Sequence, residues 1–254
     1  MSHATHAPVV LVTGAARRVG AAIARRLHAA GASVAIHYRA SAVEAEALAA
    51  ELNALRPERS GQSAASFAAD LLDIATLPRL VEAVVARFGR LDALVNNAST
   101  FHATKVGAVD TAAWDDLIGS NLKAPLFLSQ AAAPYLDRSG GCIVNITDVH
   151  AERPLKGYPV YCAAKAGLLG LTRSLALELG PQVRVNAVAP GSIEWPEGTD
   201  DFPPEERAAI IDHTLLKRMG SPADIAQAVK YLVFDAPYVT GQVINVDGGR
   251  TAHL

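Results

Sequence analysis

The stretch VVLVTGAARRVGAAIARRLHAA, residues 9–30, decides how this chain folds. It opens on an apolar, β-branched run, and from Val19 the apolar positions recur at helical spacing until Gly31. The pattern reads as a strand at 9–13, a short turn and a helix at 19–30. The turn TGAARRVG, residues 13–20, has one glycine at the strand exit and a second at the helix start. Gly14 permits tight backbone geometry near a phosphate, and Gly20 lets the helix pack close with its amino terminus facing a pyrophosphate. A two-glycine turn taken alone is more often an ordinary connection. Its place in the first βα unit makes Gly14, Arg17, Arg18 and Val19 candidate dinucleotide contacts.

The same alternation continues along the chain. Strands are expected at 33–38, 63–69, 91–95, 142–147, 183–188 and 242–246, and helices at 43–55 and 77–88. A further helix is expected at 112–136, interrupted or shifted near Pro125, then one over 163–179, with helical patterns reaching Phe234. No composition break suggests a linker, and no internal repeat is visible. This predicts one α/β domain over 1–254, a Rossmann-type, doubly wound parallel sheet of about seven strands with ligands at their carboxyl ends. Residues 1–8 read as a flexible lead, and 190–204 as an irregular, Pro-rich segment.

Composition narrows the classes. The chain has 254 residues, 50% of them apolar and only 6% aromatic, which suits Val- and Leu-rich parallel strands buried between helices. A formal net charge of −2 carries no signature of nucleic acid or an anionic membrane as partner. No apolar run reaches membrane-spanning length, and the start of the chain has no signal-peptide core. The two cysteines, Cys142 and Cys162, have no metal-ligand spacing; no metal is expected, and the reading is a soluble, cytoplasmic protein.

Residues 148–165, DVHAERPLKGYPVYCAAK, hold the chemistry. They join a buried strand to a long helix, and Tyr161 and Lys165 are spaced to project from one helix face. A cation beside a phenol favours the phenolate, so the expectation is a Tyr161 pKa drawn below about 10 and a side chain able to pass a proton to substrate. A lone Y-x-x-x-K is more often a surface pair, so the rest of the chain has to carry the case. At the end of the second strand the sequence runs His37, Tyr38, Arg39, Ala40, Ser41. An NAD site would place an acid there; a cation and a hydroxyl suit a 2′-phosphate instead, which points to NADPH held by His37, Arg39 and Ser41.

The turn at 13–20, Asp70, N-N-A-S at 96–99, Asn121, Y-x-x-x-K at 161–165 and P-G-S at 190–192 together resemble the short-chain dehydrogenase/reductase family. The resemblance covers nearly the whole chain. It implies cofactor contacts from Asp70, Leu71, Asn97, Ala98, Ser99, Asn121, Tyr161, Lys165, Pro190, Gly191 and Ser192, and catalysis by Tyr161 and Lys165, with Asn121 organising the site through its side chain or a water rather than touching substrate. Two positions depart from the family's usual pattern: Arg18 stands in place of a glycine, and Asp148 in place of a serine. With Phe101, the H-Y-x-x-S of 37–41 and the D-G-G-R ending, these departures resemble the pteridine reductase subgroup, which includes dihydromonapterin reductases.

The chemistry of the departures points the same way. A serine donates to a ketone oxygen as charge develops on it, whereas an ionised Asp148 would repel that charge. A pterin instead presents ring nitrogens and an exocyclic amine, which a carboxyl group can bind or help to protonate. Phe101 is suited to stack on a flat heterocycle, and Arg18 to contact both that ring and the cofactor phosphates. Each position also has a plain alternative: Asp148 as a cap or turn residue, Phe101 as loop packing, and Arg18 as an exposed charge that wants an anion near a helix start. Ser99 and Trp195 complete the expected substrate contacts, Trp195 within a segment at 190–215 that the resemblance makes a substrate lid. The expected activity is NADPH-dependent reduction of a dihydropterin C=N bond, with a ketone or acyl-thioester reductase, or a non-catalytic NADPH-binding module, as alternatives. The resemblance further implies a homotetramer.

Overall fold

The computed structural model describes residues 7–59, 63–195 and 202–252. In chain order it runs β1 (Val9–Val12), α1 (Arg18–Ala29), β2 (Ser33–Tyr38), α2 (Ala42–Ala54), β3 (Ala64–Ala68), α3 (Leu77–Phe88), β4 (Ala93–Asn96), α4 (Thr111–Ile118) and α5 (Ala124–Ser139). Then follow β5 (Cys142–Ile146), α6 (Pro159–Leu179), β6 (Arg184–Pro190), α7 (Pro204–Asp212), α8 (Pro222–Lys230) and β7 (Val243–Val246). The seven strands form one sheet in the order β3-β2-β1-β4-β5-β6-β7, and every pairing is parallel. The expected doubly wound α/β fold is therefore the observed one. The lead at 1–6 and residues 196–201 of the expected lid lie outside the described residues.

The two faces of the sheet are filled by alternate residues of the same strand. On β1, Val10 and Val12 join one core with Ile23 and Leu27 of α1, Leu52 of α2 and Val229 of α8. Val9 and Leu11 join the other, with Leu80 and Val84 of α3 and Leu128 and Leu136 of α5. A period of two in a strand buried on both sides requires this, and the unbroken VVLV run is its sequence mark.

Where helix boundaries shift, proline and local hydrogen bonding give the reason. The helix expected at 112–136 is α4 and α5 joined by one π turn at Gly119–Lys123, and Pro125 sits in the first turn of α5, directly after that turn. Pro159 plays the same part in α6, which starts ahead of the apolar run and so takes Tyr161 and Lys165 into its opening turns.

Candidate active site

β1 to β6 all send their carboxyl ends to one cleft of about 680 Å³, lined among others by Gly14, Tyr38, Asp70, Asn97, Ile146 and Pro190. It straddles the gap between β1 and β4, where the strand order reverses and where open α/β sheets bind ligands.

At the nucleotide end the backbone is fixed by a few polar side chains. Gly14 has φ +60°, and a Cβ on Gly20 would lie 2.1 Å from the Gly14 carbonyl oxygen and 2.7 Å from Asn97 Nδ2. Neither position accepts a side chain, so both glycines of the turn are required by shape. Thr13 Oγ1 accepts from the amides of Asn97 and Ala98, both at 2.9 Å, and Asn97 Nδ2 donates to the Thr13 carbonyl at 2.8 Å. These bonds lock the first turn onto the N-N-A-S turn.

His37 is buried: its Nδ1 accepts the Gly14 amide at 3.1 Å, and its Nε2 donates to the Ala69 carbonyl at 3.2 Å. Only the neutral ring with its proton on Nε2 serves both bonds, and burial lowers the pKa to about 4, which keeps it neutral. His37, expected as a cofactor contact, touches the cleft wall but spends both ring nitrogens on holding the turn. Arg17, Val19, Arg39, Ser41 and Leu71 line the same end; Arg17 is exposed and pairs with Glu44 at 3.7 Å. Asp70 Oδ1 accepts the Leu72 amide at 3.0 Å.

At the other end α6 carries the expected pair. Tyr161 and Lys165 are both buried and both line the cleft. Lys165 Nζ donates to the Ile146 carbonyl at 2.9 Å, and burial lowers its pKa to about 8. The Tyr161 hydroxyl donates to Asp148 Oδ2 at 2.7 Å, while Asp148 Oδ1 accepts the His150 amide at 2.8 Å. Asp148 is thus a cap residue for the turn Val149–Ala151 and a member of the cleft at once.

The expected pKa of Tyr161 is corrected. Burial and then the Asp148 carboxylate push it well above 10, whereas Lys165 stands 5.7 Å from the ring centroid. Removing water from a phenol and giving its proton a carboxylate acceptor both favour the neutral form. Tyr161 is a held hydroxyl, poised as a donor.

Phe101 stacks on Tyr158, with centroids 4.5 Å apart and planes 11° apart, and meets Tyr161 edge-on at 4.8 Å. Loop packing therefore accounts for one of its faces, although the residue also lines the cleft with Ser99. Arg18 adopts φ +52°, the left-handed backbone for which the family's usual glycine is suited. Its Nε donates to Glu194 at 2.9 Å and its Nη2 to the Trp195 carbonyl at 3.1 Å. The Trp195 ring lies 5.7 Å from that of Phe202, and the Arg207 guanidinium 5.1 Å above it.

Asn121, expected among the cofactor contacts, is fully buried and stands behind the cleft wall. Its Nδ2 donates to the Leu117 and Thr100 carbonyls at 3.0 Å, and its Oδ1 has no protein partner among the described residues. Sequence reasoning did not assign Glu194 or Arg250. Arg250 Nη1 donates to Ser192 Oγ at 2.9 Å and lines the cleft beside Pro190 and Gly191. The D-G-G-R ending carried that signal; nothing local to Glu194 tied it to Arg18. Among the described residues, no group of three or more His, Cys, Asp or Glu is arranged to hold a metal ion.

A buried Tyr–Lys pair beside the switch point of a parallel sheet defines a dinucleotide-dependent oxidoreductase. The chain belongs to the short-chain dehydrogenase/reductase family: a family model described as enoyl-(acyl carrier protein) reductase matches residues 14–251. It is 38% identical to pteridine reductase 1 of Leishmania tarentolae over 98% of each chain. It is also 40% identical to a ketoacyl reductase of the granaticin polyketide synthase of Streptomyces violaceoruber, over 99% of this chain and 98% of that one. Among solved structures it resembles a blue fluorescent protein from a metagenomic library in complex with NADPH, with a TM-score of 0.86, 38% identity, and coverage of 96% of this chain and 97% of that one. No described helix is long and apolar enough to cross a membrane.

Proposed function

We propose that the protein is an NADPH-dependent pteridine reductase that converts the C=N bond of a dihydropterin to the tetrahydro form within one domain. The observation that carries this reading is the Tyr161–Asp148 hydrogen bond of 2.7 Å, a carboxylate at the position where ketone reductases of the family place a serine. The likeness to pteridine reductase 1 supports it.

NADPH is the cofactor, as it is in the solved relative. The cradle suits it: Gly14 at φ +60° and Gly20, where a Cβ would strike the Gly14 carbonyl, let the turn close tightly beside a pyrophosphate, and Arg39 and Ser41 line the nucleotide end with a cation and a hydroxyl suited to a 2′-phosphate. Bound there, it supplies the hydride from its nicotinamide. Tyr161 gives its proton to the ring nitrogen next to the reduced carbon, and the Lys165 ammonium stabilises the phenolate that remains. Asp148 holds the Tyr161 hydroxyl at the cleft until the pterin binds; the O–H then turns from Oδ2 to the ring nitrogen, and the carboxylate accepts N–H groups of the pterin. Phe101 and Trp195 bracket the flat ring, and Arg18 reaches the cofactor phosphates and the ring. An assembly of four copies through α6, where Leu177 is 82% exposed, belongs to the same reading.

The test is an NADPH-oxidation panel across dihydrobiopterin, dihydromonapterin, dihydrofolate, a quinonoid dihydropterin and acetoacetyl-coenzyme A, repeated with NADH. The reading requires the highest kcat/KM with one of the pterins and a preference for NADPH. A dominant acetoacetyl thioester activity would transfer the assignment to the ketoacyl reductases, which the granaticin relative keeps as the second reading.

A further inference from the structure

Arg18 carries two local penalties, and a residue distant in sequence supplies the anion it lacks locally. It sits at φ +52°, and its charge lies at the amino terminus of α1, whose first turn holds no acid. Glu194, beyond the end of β6, supplies the missing anion through the Nε–Oε2 contact of 2.9 Å, and the Trp195 carbonyl takes Nη2. A guanidinium has five N–H donors, so these two bonds leave others for the cleft that Arg18 lines while the charge is already balanced.

All three residues line the cleft, and Phe202 and Ile210 form the adjoining wall. The other cations on the cleft wall are placed elsewhere: Arg17 and Arg39 at the nucleotide end, and Arg250 on Ser192. The cleft also contains Lys165, buried and bonded to the Ile146 carbonyl. Among the described residues that line this part of the cleft, an incoming anion therefore meets Glu194 itself and an arginine that Glu194 has already neutralised; Arg207, over the Trp195 ring with its Nε on the Phe202 carbonyl, is not part of the lining.

We propose that Glu194 is a specificity-determining residue that makes the cleft select substrates with uncharged tails over those bearing carboxylates or phosphates. Under the pterin reading, on which the choice of substrates rests, the class is a dihydropterin with a neutral polyhydroxyalkyl side chain rather than a glutamyl-bearing folate. The Arg18–Glu194 pair is about one-third exposed, so its field acts through partly screened solvent and the discrimination is on the order of tenfold. Added salt weakens it.

The experiment measures kcat/KM at saturating NADPH for two matched pairs, dihydrobiopterin against dihydrofolate, and acetoacetyl-N-acetylcysteamine against acetoacetyl-coenzyme A. In each pair the first member is neutral and the second anionic. The native protein is expected to favour the neutral member of whichever pair it reduces, less so at high salt. In Glu194→Gln, which leaves the Arg18 charge unbalanced, the anionic-to-neutral ratio should rise about tenfold and should now fall, rather than rise, as salt is added. A residue that merely shapes the loop would change both members together and leave the ratio where it was; that outcome overturns the proposal. Should Glu194→Gln fold poorly, the native ratio still decides: one that favours the anion, or ignores salt, also overturns it. Reduction of the thioester pair alone would remove the pterin reading yet still test the charge selection, and turnover of neither pair would end both.

Discussion

His37 offers a prediction whose size follows from two hydrogen bonds and burial. The ring is neutral because it accepts from Gly14 and donates to Ala69 in a site closed to water. Its folded pKa of about 4 lies below the ordinary 6.5, so the unfolded chain takes up the proton first as pH falls. The stability contributed by neutral His37 is therefore complete above pH 6.5 and is lost progressively as pH drops toward 4. The gap corresponds to about 3 kcal/mol at most. Glutamine at this position keeps one acceptor for Gly14 and one donor for Ala69 but does not titrate. Urea unfolding of the native protein and of His37→Gln at several pH values between 4 and 7 isolates the residue, because the carboxylates and other histidines are common to both. The native curve should lose up to about 3 kcal/mol more than the variant across that window. NADPH affinity should weaken in parallel in the native protein alone, since protonation strips the acceptor from the turn that cradles the phosphates. Parallel curves would show that His37 does not hold the turn as a neutral ring.

Two further predictions concern the α6 pair. Tyr161→Phe removes the donated proton while leaving the buried ring in place, so kcat should fall by about 10²- to 10⁴-fold, with NADPH binding retained in a fluorescence titration. Lys165 loses its charge as pH rises through about 8, and an uncharged amine no longer stabilises a phenolate. The pH profile of kcat/KM should accordingly turn down on its alkaline side near that value.

Much of the fold was legible because its strands are buried on both faces. VVLV is unbroken apolar sequence and CIVNI is interrupted only by Asn145, and glycine or proline punctuates the turns between such runs. The cleft followed, because parallel topology sends each strand end to the same edge, and nearly every expected contact was found on its wall. What was illegible depends on distance through space. Spacing placed Lys165 beside Tyr161, but not the burial and the Asp148 oxygen that together raise the phenol's pKa. A histidine at the end of a strand looks like a ligand contact until its ring is seen bonded to two strand-end turns, and no local pattern joins Arg18 to a glutamate 176 residues away. Asn121 matched the family's motif, yet the π turn directs its side chain behind the wall.

The central claim is that the carboxyl of Asp148 serves the chemistry of a heterocycle and not merely the turn it caps. It is tested most directly by the kcat/KM of Asp148→Ser for dihydrobiopterin, with NADPH affinity measured alongside. Serine still caps the turn through its hydroxyl, but the charge-assisted hold on Tyr161 and on the pterin N–H groups is gone. The account predicts a loss of about 100-fold in dihydrobiopterin reduction with NADPH affinity within about twofold of native. An Asp148→Ser protein that reduces dihydrobiopterin as well as the native one would contradict it.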